Sequence, residues 1–262
     1  SNLPVVLVFA GHDPSGGAGI QADIEVLASH GCHAATVVTA LTVQDTRDVS
    51  EFTPVEATHV IAQARAVLED LPVAVIKLGM LGSVDNAAVI HTIIADYPDL
   101  PVVFDPVLAA GSGTPLVEPG LTGAIRSLLL PVTRILTPNS LEARALAPEA
   151  DTPGACAQAL LDLGVDYVLV TGSHEHTPEV INRLYHGQDQ PVSFNWERLP
   201  HSYHGSGCTL ATAIAAQLAL GRGSVDAIRM AQAFTWQALQ QGFRPGLGQH
   251  LPNRCSTPRN PD

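Results

Sequence analysis

The sequence predicts an α/β fold, a three-layer α/β/α sandwich around one mostly parallel sheet. Three observations predict it. Through residue 170, short apolar runs alternate with longer segments whose apolar residues recur at helical spacing. No internal repeat or linker interrupts that alternation, so residues 1–262 read as a single domain. Glycine and uncharged polar residues cluster just after the apolar runs, where sheets of this kind bind small ligands. Hydrophobic residues make up 46% of the chain and charged residues 15%, enough apolar material for a large core.

The run LPVVLVFAG (3–11) reads as a buried strand. GGAGIQADIEVLASHG (16–31) follows as a helix, with Ile20, Ile24 and Leu27 on one face and Gly31 as its stop. A strand over 34–44, a helix over 56–70, a strand over 73–79, a helix over 84–97 and a strand over 101–105 continue the alternation. A helix over 119–130 leads to a strand at 133–138. Helices at 139–147 and 153–164 precede a strand at 166–172. Residues 178–199 read as an antiparallel pair, an edge added to the parallel sheet. Helices over 207–220 and 224–242 finish the fold, and the Pro-, Gly- and Arg-containing tail 243–262 reads as irregular.

The formal net charge of -12 argues against a general basic surface for nucleic acid or anionic membrane, so a site for a phosphorylated ligand must be built locally. Lys77 is the only lysine. No apolar run approaches the ~18 residues of a membrane span, and the opening residues lack the basic region of a signal peptide. Cys32, Cys156, Cys208 and Cys255 form neither a zinc pattern nor a disulfide framework, so the expected location is the cytoplasm.

Several loops carry candidate chemistry. GHDPSGGAG (11–19) can bring backbone N–H groups close to a ligand or serve as a tight turn; it is neither a P-loop nor a dinucleotide fingerprint. Asp23 lies about one turn into the following helix, aimed back at the site or simply favoured by the helix dipole. Gln44 in TVQDT, at a strand end, can read a heterocycle bearing an amino group and a ring nitrogen, or be a solvated loop residue. Asp105 in VFDPV ends a buried strand at the ligand side of the sheet, placed for magnesium or phosphate. Asn139 and Glu142 in TPNSLEA read either as a capping box or as a magnesium-side pair. His174 and His176 read as solvated loop residues.

HGSGCT (204–209) is the strongest local signal. Gly205, Ser206 and Gly207 permit a sharp turn that leaves free N–H groups at a helix start, an anion site. Cys208 falls in the first turn, where the dipole lowers a thiol pKa; the alternative is a small buried hydrophobe.

In order, GHDPSGGAGIQAD, LTVQDT, KLGML, DPV, TPN with its Glu three residues on, HGSGCTL and GLGQHLPNR closely resemble the hydroxymethylpyrimidine/phosphomethylpyrimidine kinases of thiamine biosynthesis, within the ribokinase-like superfamily. The resemblance implies two phosphoryl transfers from Mg-ATP, first to 4-amino-5-hydroxymethyl-2-methylpyrimidine and then to its monophosphate, and a homodimer. Gln44, Asp23, Met80, Gly11 and Val107 match the pyrimidine pocket. Asp105, Asn139, Glu142, Thr171 and Gly172 match the ATP and phosphate side, with Glu142 and Asp105 toward magnesium. Gly205, Ser206 and Gly207 match the anion hole, and Cys208 the base, where ribokinase relatives generally carry aspartate. Two lysines common in relatives are replaced, within GSGT (111–114) and TGSH (171–174). The resemblance also admits a pyridoxal or pyridoxine kinase, and the lost lysines a non-catalytic pyrimidine-binding module.

Overall fold

The computed structural model describes residues 2–255. Nine strands form one sheet in the order β3-β2-β1-β4-β5-β6-β7-β8-β9. They are β1 (Val5–His12), β2 (His33–Gln44), β3 (Val49–Pro54), β4 (Val73–Leu78), β5 (Val102–Phe104), β6 (Ile135–Leu136), β7 (Tyr167–Val170), β8 (Glu179–His186) and β9 (Val192–Glu197). The pairings from β2 through β7 are parallel. The pairings of β3, β8 and β9 are antiparallel, as the sequence predicts at the far end.

The helices are α1 (Gly19–Ser29), α2 (Ala57–Asp70), α3 (Val84–Asp96), α4 (Leu121–Ala124), α5 (Ser140–Leu146), α6 (Pro153–Asp162), α7 (Ser206–Ala219) and α8 (Ser224–Gln240). They cover both faces, and β1 shows why the sheet is buried twice. Val5, Leu7 and Phe9 belong to the core beneath α2, α3 and α6. The alternate residues Val6, Val8 and Ala10 belong to the core beneath α1, α7 and α8. A strand that is apolar on both faces is the continuous run expected of a central parallel strand.

Three expectations need correction. Residues 49–54 form a strand that the sequence reading passed over. Mostly exposed, β3 pairs only with β2 and ends at Pro54, so it lacks an apolar periodicity. The helix expected over 119–130 is broken: α4 continues as a π turn at Ile125–Leu129 and a 3-10 turn at Leu130–Val132, where Pro131 brings no N–H to extend an α pattern. The tail is not irregular throughout. Phe243 bridges Leu251, and Tyr203 bridges His250, which fixes the segment from 243 to 251 against the chain entering α7. Residues 256–262 of that expected tail lie outside the described residues.

Candidate active site

A cleft of about 840 Å³ opens at the carboxyl ends of the parallel strands. Sheet topology dictates the convergence: β1, β2, β4, β5, β6 and β7 all point the same way, so the loops leaving them meet at one edge. Gly11, Gln44, Met80 and Val107, the residues that the family resemblance assigns to a pyrimidine pocket, all line the cleft. A Cβ on Gly11 would lie 3.0 Å from Met80 Sδ, so only glycine lets the methionine approach β1. Gln44 Nε2 donates to Thr42 Oγ1 at 2.7 Å, and Thr42 donates to the carbonyl of His12, which fixes the amide at the end of β2.

The start of α7 also lines the cleft. Gly205 adopts φ +85, and a Cβ there would collide with the Gly17 carbonyl. Ser206, Gly207 and Cys208 form the first turn, where N–H groups have no intrahelical acceptor. All three line the cleft, as does Gly205. Asp105 stands close by: a Cβ on Gly207 would be 3.6 Å from its Oδ2. Asn139 and Glu142 also line the cleft. They form the full capping box of α5, with Glu142 N donating to Asn139 Oδ1 at 2.8 Å and Asn139 N to Glu142 Oε2 at 2.9 Å. The two readings of this motif are therefore compatible: one carboxylate caps the helix and faces the cleft.

The charges of the site are coupled. Burial pushes Asp105 up to about 6 despite the attraction of Lys77. Burial, and then the charge of Asp105, push Glu142 up to about 8. A carboxyl group raised by the charge of a neighbouring carboxylate favours a cation beside the two. Thr137 Oγ1 lies buried in the same cleft without a hydrogen-bond partner. This set of hard oxygen donors suits Mg²⁺, which keeps waters and binds substrate phosphates rather than filling an all-protein cage.

Three sequence expectations fail here. Asp23 does not line the cleft. It is wholly buried behind it and accepts from Lys77 Nζ at 2.9 and 3.1 Å and from Thr212 Oγ1 at 2.5 Å. Helical spacing placed it one turn into α1 but could not show that this turn faces the interior. Gly172 is buried against β8, where a Cβ would strike the Ile181 carbonyl; its neighbour Thr171 does line the cleft. The Cys208 thiol is not lowered. Burial pushes it up to about 12, with Lys77 opposing and Asp105 and Asp23 adding to the rise. The helix start that favours a thiolate is outweighed by desolvation.

The structure adds residues the sequence reading gave no role. Lys77 is the floor of the cleft and fully buried; a charged residue inside the apolar strand VAVIKL was the visible signal. Burial pulls its pKa down, but Asp23, Cys208 and Asp105 together draw it above its ordinary value, so it stays charged. Asp13 is buried at the start of the glycine-rich loop, directly after β1. Its carboxylate accepts from the amides of Ser15, Gly17 and Ala18 and from His204 Nε2. These bonds hold it below its ordinary value although burial acts the other way. Arg198 lines the cleft and donates to the carbonyls of Ser173, Glu175 and Thr177, ordering the loop that follows β7. Trp196 and Trp236 stack at 6.2 Å between centroids and also face the cleft. His174 and His176 are exposed.

The comparisons with known proteins agree with this geometry. The phosphomethylpyrimidine kinase family profile matches residues 13–253. A hydroxymethylpyrimidine/phosphomethylpyrimidine kinase of Mycobacterium tuberculosis is 39% identical over 254 residues, covering 94% of this chain and 91% of its own. Among solved structures, a phosphomethylpyrimidine kinase from Clostridium difficile matches with a TM-score of 0.78 at 29% identity, covering 91% of this chain and 100% of that one. The Bacillus subtilis pyridoxal kinase in its ADP complex matches with a TM-score of 0.86 at 28% identity, covering 97% of this chain and 98% of that one. With a family match over residues 13–253 and a relative 39% identical over 94% of its length, this chain belongs to the phosphomethylpyrimidine kinases.

Proposed function

We propose that the chain transfers phosphoryl groups from ATP to 4-amino-5-hydroxymethyl-2-methylpyrimidine and then to its monophosphate, serving thiamine biosynthesis. One observation carries the reading: Gly11, Gln44, Met80 and Val107 line the same cleft as Gly205 to Cys208 at the start of α7. Phosphoryl transfer asks chiefly for alignment and charge neutralisation. Gln44 orients the aminopyrimidine edge. The amides of Ser206, Gly207 and Cys208 receive the oxygens of the moving phosphoryl group. Lys77 supplies a fixed positive charge beneath them.

Asp105, Glu142 and Thr137 are the residues that would hold Mg²⁺, which neutralises phosphate charge when bound. Thr171, Ser173 and Arg198 border the nucleotide side. Burial keeps the proton on Cys208, and the charges of Asp105 and Asp23 act the same way. The residue therefore serves as base only as bound substrate and cation alter those charges. The exposed Leu41 and Val43 of β2, 54% and 57% accessible, support a homodimer, and four unpaired cysteines support a cytoplasmic location.

The test is a coupled kinase assay with mass detection of the mono- and diphosphate. Pyrimidine-dependent ATP turnover giving both products is expected. Turnover confined to pyridoxal would replace this reading with the pyridoxal kinase one, favoured by the 0.86 TM-score to the Bacillus subtilis enzyme. Binding of the pyrimidine without turnover would make the chain a binding module.

A further inference from the structure

Arg254 is the largest fully buried side chain of the described residues, 2% accessible, yet it comes from the C-terminal arm rather than from any helix or strand. The arm is held by backbone bonds: His250 N to Ser202 O at 2.9 Å, His204 N to His250 O at 2.9 Å and Asn253 N to Ala238 O at 2.8 Å. These deliver the guanidinium to the back of the anion site. Its Nη1 and Nη2 donate to the carbonyls of Gly16 and Gly17, and its Nε donates to Thr209 Oγ1 at 2.8 Å. Thr209 Oγ1 in turn donates to the Gly205 carbonyl at 2.7 Å. The carboxylate of Glu25, 3.2 Å away and 37% accessible, is its ion-pair partner.

This contact set has a direction. The two loops it joins, 16–17 and 204–205, are packed so closely that a Cβ on Gly205 would meet the Gly17 carbonyl and lie 2.6 Å from Arg254 Nη2, and a Cβ on Gly17 would meet His204. On the other side of Gly205 lie the amides that face the cleft. Lysine cannot substitute, because one ammonium cannot span two carbonyls and a hydroxyl in the plane that a guanidinium reaches.

We propose that Arg254 is a positioning residue for phosphoryl transfer: the C-terminal arm uses its buried guanidinium to clamp the glycine-rich loop and, through Thr209, the Gly205 carbonyl, so that the first-turn amides of α7 keep their aim. The inference rests on the kinase reading of the cleft. Arg254 touches no substrate; it acts on alignment, and a displacement of about 1 Å at such a site costs on the order of 100-fold in rate.

Arg254→Ala and Arg254→Lys are compared with the wild type under saturating Mg-ATP, with the pyrimidine varied up to saturation. Arg254→Ala is expected to lower kcat by about 100-fold and to leave KM for the pyrimidine within about twofold, the pattern of an interaction felt in the transition state. Arg254→Lys is expected to recover little. Added guanidinium ion should restore part of the lost kcat in Arg254→Ala and none in Cys208→Ala, and Glu25→Gln should keep wild-type kcat. Hydrogen exchange, read without substrate, should quicken over residues 13–18 and 204–209 in Arg254→Ala while α2 and α3 exchange as before. Where Arg254→Ala does not fold, Thr209→Val carries the same expectation for kcat. Wild-type kcat in either variant, or a loss that tracks the folded fraction with no selective change in exchange, overturns the inference. A wild-type chain that phosphorylates no pyrimidine refutes the kinase reading instead, and the exchange experiment still decides the clamp.

Discussion

The pair Lys77–Asp23 offers a quantitative test of how the floor of the cleft is built. Both side chains are 0% accessible, with Nζ 2.9 Å from Asp23 Oδ1. At that distance, with an effective dielectric constant of about 20, the attraction is about 6 kcal/mol. Desolvation of the two ions offsets much of it, so the pair adds little net stability, but breaking it leaves one ion uncompensated at a cost of about 3–5 kcal/mol. Lys77→Met strands the Asp23 carboxylate with Thr212 Oγ1 as its remaining hydrogen-bond donor. That variant should fall in the upper part of the range. Asp23→Asn leaves the ammonium with Asp105 as a second carboxylate partner, so its loss should be smaller. In the double variant neither ion is stranded, and its loss should be less than the sum of the singles by about 2 kcal/mol or more. The assay is urea unfolding of the wild type, both singles and the double at one pH. Losses that simply add, with a coupling under about 0.5 kcal/mol, would refute the claim that the two charges support one another. In the same series, Lys77→Met should lose kinase activity, because it removes the fixed cation beneath the anion site.

Further outcomes follow from the same site. Cys208→Ala should slow phosphorylation of the alcohol more than phosphorylation of the monophosphate, whose acceptor is already an oxyanion, and equal losses in single-turnover assays of the two steps would exclude a proton-accepting role. Cys208→Asp should retain more of the first step than Cys208→Ala and depend less on pH, since a carboxylate is ionised where the thiol, pushed to about 12, is not. Gln44→Ala should raise KM for the pyrimidine well above any change in KM for ATP, and unchanged constants would remove Gln44 from the pocket. Glu142 binds its proton more tightly in the folded chain than unfolded, so its contribution to stability is present below about pH 4.5 and is lost as pH rises toward about 8. The slope is at most about 1.4 kcal/mol per pH unit for one proton. Glu142→Gln should flatten the urea-unfolding stability curve over that window; a curve as steep as wild type would show that Glu142 is not the group that titrates.

The sequence by itself determined most of the element order. Apolar alternation in β1, helical spacing in α1 and the glycine-bounded turn before α7 are local properties, readable from neighbours along the chain. The place of Gln44, Asp105 and the residues from Gly205 to Cys208 at the cleft was also legible, since each sits at a strand end or a helix start, where topology alone sends it to that edge. Tertiary structure decided which side chains on those elements face the cleft. Asp23 and Lys77 are 54 residues apart and became a buried pair only when α1 packed onto the sheet. Desolvation, which depends on every neighbour at once, outweighed the helix start at Cys208. Arg254 found its place 237 residues from Gly17 along the chain. Periodicity records which face of an element is apolar, but a buried charge is stable only beside a partner, and that partner is set by packing between elements distant in sequence.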